Sequence, residues 1–169
     1  MLHSFKSLII SILLLSNITY SKDMEKIVFS EWDKPNINIF YNLPAQITEN
    51  TKVIFVIHGN SRNADGYLNV WMKLARKHNV LLIAPEFNRP SFPSYNTLMM
   101  STSDGRIREN KDLYLHNSID LFFDYFINKF DLNADKYIIY GHSGGSQIVH
   151  RYLLMSDNPK VDKAVAANA

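Results

Sequence analysis

The chain has no cysteine, only six glycines, and a formal net charge of +2 spread over 169 residues. Without cysteine there is no disulfide framework and no thiol to carry a lipid, so the fold has to hold by core packing alone. The basic residues are scattered among acids and do not interleave with aromatics in a stripe, which speaks against nucleic acid as a partner. No apolar run approaches the roughly 20 residues that a membrane span requires. The nearest candidate, Leu8 to Leu15, is too short, and no stable membrane anchor is expected. His-x-x-x-His, H-E-x-x-H, G-x-G-x-x-G and the P-loop pattern are all missing, so neither a metal nor a cofactor is expected.

Apolar residues make up 46% of the chain, which suits one ordinary globular domain with a real core. The first residues differ from the rest. His3 and Lys6 precede the apolar stretch, and Ser16, Asn17 and Thr19 follow it. This layout is that of a secretory signal peptide over residues 1–21, cut after Ser21, with residues 22–169 forming the exported domain. The expected location is secreted or periplasmic.

From Lys26 onward, short apolar runs alternate with segments of helical period. Ile27–Ser30 and Asn36–Tyr41 read as an antiparallel hairpin at the edge of a larger sheet. Val53–Ile57 and Val80–Ala84 are continuous apolar runs, as strands covered on both faces should be. Ala64–His78 places Tyr67, Leu68, Trp71, Leu74 and Ala75 at steps of three and four, the stripe of an amphipathic helix. A stretch without clear periodicity runs from Phe87 to about Ile107. Asp112–Phe130 resumes the helical period, Tyr137–Tyr140 is a strand, Gly145–Met155 a helix, and Ala164–Ala167 the start of another strand. The order predicts an α/β fold, with a mostly parallel sheet, helices on both faces and the N-terminal hairpin at one edge.

Gly141-His142-Ser143-Gly144-Gly145 satisfies G-x-S-x-G and falls between a predicted strand and a predicted helix, the context that the motif needs. Three of the six glycines crowd into this one turn. A serine there takes a strained backbone, the flanking glycines leave room where side chains would collide, and the following helix aims its N-terminal amides at a developing oxyanion. Ser143 is therefore the candidate nucleophile.

Three separated stretches carry a resemblance: Val56 to Tyr67, Ala84 to Phe87 and Tyr140 to Arg151, with the closing Ala-Val-Ala-Ala-Asn-Ala as the next strand. With these the chain resembles an α/β-hydrolase over nearly all of Lys26 to Ala169, and is similar to bacterial secreted esterases and poly(hydroxyalkanoate) depolymerase-like proteins. The resemblance implies cleavage of a carboxylic ester through an acyl-enzyme on Ser143, the substrate being a small-molecule or polymeric ester. The turn His58-Gly59-Asn60 stands where this fold offers a backbone amide, which makes the amides of Asn60 and Gly144 the expected oxyanion hole. His58, Gly59 and His142 belong to the same motifs. Glu86 stands at the catalytic end of its strand, either lining the pocket or anchoring a loop. Phe92, Tyr95 and Met99 are candidates for the wall or lid of an apolar acyl site.

In that fold the triad acid and histidine follow the serine in the chain. Residues that play those parts are not found between Ser143 and Ala169, so the domain is expected to be truncated at the C-terminus. His150 lies two helical turns from Ser143, His142 is expected to point into the protein, and His116 rides on its helix's apolar stripe. His78 ends a helix, and His58 flanks the oxyanion pocket. Asp120 and Asp124 read as a solvated face, and Asp157 and Asp162 fall at the far end of the sheet. The alternative expectation is a catalytically inactive relic or binding protein.

Overall fold

The computed structural model of the chain describes residues 23–169. The leader expected over residues 1–21 lies outside the described residues. Six strands, β1 (Glu25–Phe29), β2 (Ile37–Asn42), β3 (Lys52–Ile57), β4 (Val80–Pro85), β5 (Tyr137–His142) and β6 (Val161–Ala167), form one sheet. Their order is β1-β2-β4-β3-β5-β6. The hairpin β1–β2 is antiparallel, with Ile27 opposite Ile39, and β2 is antiparallel to β4. From β4 through β3 and β5 to β6 every pairing is parallel. This is the expected mostly parallel sheet with an antiparallel hairpin at its edge.

Three helices cover the sheet: α1 (Ala64–Lys77), α2 (Ser118–Phe130) and α3 (Gly144–Met155). Right-handed crossovers decide which face each one takes. The chain steps from β3 to β4 in one direction and from β4 to β5 to β6 in the other, so α1 lies on one face and α2 and α3 on the opposite one. The core follows this division. Val53, Phe55 and Ile57 of β3 pack with Phe122 and Phe126 of α2 and with Ile148 and Tyr152 of α3. Val56 of the same strand packs with Ala64, Leu68 and Met72 of α1. Burial on both faces is why the central strands are continuously apolar instead of alternating.

The stripe of α1 is rotated from the expected one. Ala64, Leu68, Met72 and Ala75 are buried, Tyr67 and Trp71 are partly covered, and Leu74 is 52% exposed. The buried set follows steps of four, four and three down one narrow line, which is all that a single helix on a twisted sheet presents.

The segment expected to be helical from Asp112 becomes helical only at Ser118. Lys111–Leu113 forms a 3-10 turn and Tyr114 is extended. The Leu115 N–H donates to Leu98 O at 2.9 Å, which ties this stretch to the preceding loop in place of a helical partner. His116 accordingly stands before the helix, half-buried, not on its apolar stripe.

Asp120 is another departure, since it is not a solvated charge. Its Oδ1 accepts from the Tyr137 hydroxyl at 2.7 Å and from the Lys160 N–H at 3.0 Å. Its own N–H donates to the Tyr152 hydroxyl at 2.9 Å. One carboxylate thus ties α2 to the starts of β5 and β6, and burial pushes the pKa of both tyrosines upward. Asp120→Ala removes the carboxylate that the buried Tyr137 hydroxyl donates to and is expected to cost about 2 kcal/mol in urea unfolding. Adding Tyr137→Phe should recover part of that loss. A single-variant loss no larger than that of a surface substitution would refute the tie.

Among the described residues, no helix is long and apolar enough to cross a membrane.

Candidate active site

β3 and β5 are neighbours, and from β3 the chain leaves toward β4 on one side while β5 leads to β6 on the other. Their carboxyl ends therefore flank the crevice where an open α/β sheet takes its ligands. His58-Gly59-Asn60 follows the end of β3, and Ser143 follows the end of β5.

Ser143 has φ 54° and ψ −120°. A non-glycine residue in that region carries about 1–3 kcal/mol of strain and persists only where its surroundings hold it. Here they do. The Ser143 N–H donates to Ala167 O at the end of β6 at 3.0 Å, and Ser143 O accepts from the Ser146 N–H at 3.0 Å as α3 begins. The close approach needs glycine on either side. A methyl group on Gly141 would lie 2.9 Å from Ser146 N and nearer still to the Gly145 carbonyl. One on Gly145 would lie 2.7 Å from His58 O and nearer still to Ile57 O. The elbow is thus pressed against the turn after β3, and the methyl position of Gly59 is 3.5 Å from Ser143 Cβ. Gly144, the first residue of α3, stands where its amide lacks an intrahelical acceptor and where the helix dipole favours negative charge. Asn60 lies directly against it, with its Oδ1 2.6 Å from the methyl position of Gly144.

His58 is 0% exposed. Its Nε2 accepts from the Phe87 N–H at 3.0 Å, so the proton is on Nδ1, which donates to Gly59 O at 2.9 Å. The ring lies against Tyr95 and Phe87, with centroids 5.0 and 6.1 Å away. Both nitrogens are spent on the backbone, so His58 holds the turn after β3 to the loop after β4 and is not placed to take a proton from Ser143. Burial, with the Arg62 cation nearby, lowers its pKa from 6.5 to about 4.

That shift makes the fold pH-sensitive. Above pH 6.5 the imidazole is neutral in both states and contributes no pH dependence. Below it the unfolded chain gains a proton that the folded one refuses, so stability falls between about pH 6.5 and 4, by about 3 kcal/mol in all. His58→Gln should remove this component from urea-unfolding curves measured across that range. Parallel curves for the two proteins would show that the imidazole is not buried neutral.

The other expected site residues separate. Glu86 takes the loop-anchoring part: its Oε2 accepts from Asn38 Nδ2 at 2.7 Å and its N–H donates to Asn38 O at 2.9 Å. Phe92 and Tyr95 do not form an open acyl wall. They are 1% and 0% exposed, in the core cluster with Phe87 and Met99. The loop that carries them lacks periodicity because it is held by single long-range bonds. Arg62, itself at φ 62°, donates to the carbonyls of Phe87, Phe92 and Pro93 and lies 3.7 Å over the Tyr95 ring. The Tyr95 hydroxyl donates to His58 O at 3.1 Å, and burial pushes its pKa up to about 12. Arg89 closes the arrangement by donating to Asn60 O at 2.9 Å.

His142 is half-buried instead of turned into the core. Its Nδ1 is hydrogen bonded to the Tyr67 hydroxyl at 3.1 Å, and it lines a cavity of about 340 Å³ with Tyr67, Trp71 and Tyr140. The aromatic surface open beside the elbow is therefore this one. Arg62, Arg89 and Tyr67 were missed as site residues. Arg62 and Tyr67 stand within the Val56–Tyr67 motif, but only their distant partners reveal what they do. No group of three or more metal-ligating side chains occurs among the described residues.

No protein-family model matches the sequence, and no curated protein matches it either. Solved structures do. Poly(aspartic acid) hydrolase-1 from Sphingomonas sp. KT-1 superposes with a TM-score of 0.79 at 34% identity, over 86% of this chain and 56% of its own. Poly(3-hydroxybutyrate) depolymerase from Bordetella parapertussis gives 0.74 at 24% identity, over 85% of this chain and 51% of its own. Fluorophosphonate-binding serine hydrolase F from Staphylococcus aureus gives 0.63 at 19% identity, over 86% and 57%. The last two share the fold, and the chain spans about half the length of each of the three.

Proposed function

The chain belongs to the α/β-hydrolase superfamily, and on that premise we propose that it carries the nucleophile half of a serine hydrolase site, cleaving a carboxylic ester through an acyl-enzyme on Ser143. The observation that carries this reading is the strained Ser143 backbone at the end of β5, packed against the turn after β3. A strained serine at a strand-to-helix turn is what a nucleophile presented at the mouth of the crevice would require. In the proposed reaction an imidazole base removes the Ser143 proton as Oγ bonds to the carbonyl carbon. The carbonyl electron pair moves to oxygen, where the amides of Asn60 and Gly144 receive it. The alkoxide leaves with a proton from the imidazolium, and water then repeats the sequence on the acyl-enzyme.

Because His58 and His142 have their rings engaged elsewhere, the base and its orienting acid are proposed to come from the part of the fold that residues 23–169 do not include. A polymeric ester is the favoured substrate class, since two of the similar structures bear the names of a polymer hydrolase and a polyester depolymerase. A secretory leader would bring the enzyme to such a substrate outside the cell.

The test is turnover of a chromogenic short-chain ester by the whole polypeptide, with mass addition from a fluorophosphonate mapped to the peptide that contains Ser143. Absence of both would sink the hydrolase reading in favour of a binding protein.

A further inference from the structure

The head of the Asn60 side chain occupies a telling place. A methyl group on Gly144 would lie 2.6 Å from its Oδ1 and 3.2 Å from its Cγ. The carboxamide thus stands beside the residue whose main-chain amide is the other expected donor. The Tyr95 hydroxyl is also close, 2.5 Å from the same methyl position. That hydroxyl is already committed to His58 O and belongs to a residue that is 0% exposed. Asn60 is exposed, and among the described residues its carboxamide has no hydrogen-bond partner.

Its main chain, by contrast, is fixed on both sides. Arg89 donates to Asn60 O at 2.9 Å, and the Arg62 N–H donates to Gly59 O at 3.1 Å, closing the turn. A rigid backbone with an uncommitted amide head is a poor use of asparagine in a surface turn. It suits a donor kept for a charge that appears only during reaction.

We infer that the Asn60 side chain is a third oxyanion donor, so that Asn60 serves as a catalytic residue through its carboxamide as well as its main chain. The inference rests on the hydrolase reading of Ser143. A half-turn about χ2 exchanges Oδ1 for Nδ2, which would bring the NH2 group to the position beside Gly144 that Oδ1 holds. An N–H aimed at an oxygen that becomes negative only in the tetrahedral state stabilises that state above the bound substrate, so the effect falls on kcat and not on KM.

Asn60→Ala and Asn60→Asp both keep the main-chain amide and change only the head. With 4-nitrophenyl butyrate and the whole polypeptide, Asn60→Ala should lower kcat by about 100-fold with KM changed less than about threefold. Asn60→Asp should lose at least as much, because a carboxylate accepts and repels where a donor is needed. Phenylboronic acid, whose tetrahedral adduct on Ser143 Oγ bears the anion, should bind Asn60→Ala at least about tenfold more weakly by calorimetry. Unfolding midpoints of the variants should match the parent.

A kcat for Asn60→Ala within about twofold of the parent would overturn the inference. So would a loss accompanied by a lower unfolding midpoint, which would mean that the turn had collapsed. If the parent itself neither turns over the ester nor forms the boronate adduct, the reading of Ser143 fails and this inference with it. Parent activity lost in Ser143→Ala but kept in Asn60→Ala separates the two failures.

Discussion

Ser143→Ala is expected to lower ester turnover by roughly four to six orders of magnitude while leaving the fold intact. The size follows from what the hydroxyl does. It is the atom that forms the covalent intermediate, and the oxyanion donors and binding surface retain only the residual acceleration that any positioned water can use. Structural neutrality follows from the geometry. The backbone of Ser143 is held by its N–H to Ala167 O and by its carbonyl to the first turn of α3. Alanine retains both bonds and occupies φ 54° at a steric cost like that of serine. Circular dichroism and the unfolding midpoint should therefore be unchanged, and fluorophosphonate labelling should vanish. Undiminished turnover in Ser143→Ala would remove the serine from the mechanism, whatever the fold.

Both the sheet and the elbow could be read from the chain for the same reason: each leaves its mark within a short stretch of sequence. Val53–Ile57 and Val80–Pro85 declare themselves because strands buried on two faces admit no polar residue. The glycines at 141 and 145 declare the elbow because main-chain atoms come so close there that no space is left for a methyl group. What stayed hidden is set by partners far apart in the chain. The loop after β4 shows no period because Arg62 holds it through three carbonyls, and a carbonyl leaves no mark in a sequence. Phe92 and Tyr95 were therefore expected to face a substrate, whereas they pack inward around that guanidinium. Asp120 looked like an ordinary helix-surface acid. Its partners are a tyrosine hydroxyl on β5 and a main-chain amide ahead of β6, found only once the sheet is assembled. His58 hides its part similarly, since Phe87, whose amide its Nε2 accepts from, is brought close only by the β3–β4 pairing.

Gly145→Ala should be strongly damaging to the described fold, and its sign is diagnostic. Gly145 lies in the first turn of α3 and, unlike Gly105, does not have a positive φ. On helix propensity alone, alanine there should stabilise by up to about 1 kcal/mol. Against that, its methyl group would lie 2.7 Å from His58 O and closer to Ile57 O, and both are main-chain atoms at the end of β3. No rotamer change relieves a contact with backbone, so α3 must lift from the sheet or the turn after β3 must move. Overpacking that side chains can absorb costs about 1–3 kcal/mol, and this case should exceed that range. A loss of more than about 3 kcal/mol is a large share of the stability of a domain this size, so the variant is expected to be poorly folded at 37 °C. Any fraction that folds should also be slow, because the turn forced outward carries Asn60 away from Ser143. Gly105, with open space around it, is the internal comparison: alanine there meets nothing within 4 Å and costs only the strain of its φ of +86°. A Gly145→Ala protein that melts higher than the parent would mean that α3 stands clear of β3, and the close seating of the nucleophile against the turn of Asn60 would be refuted.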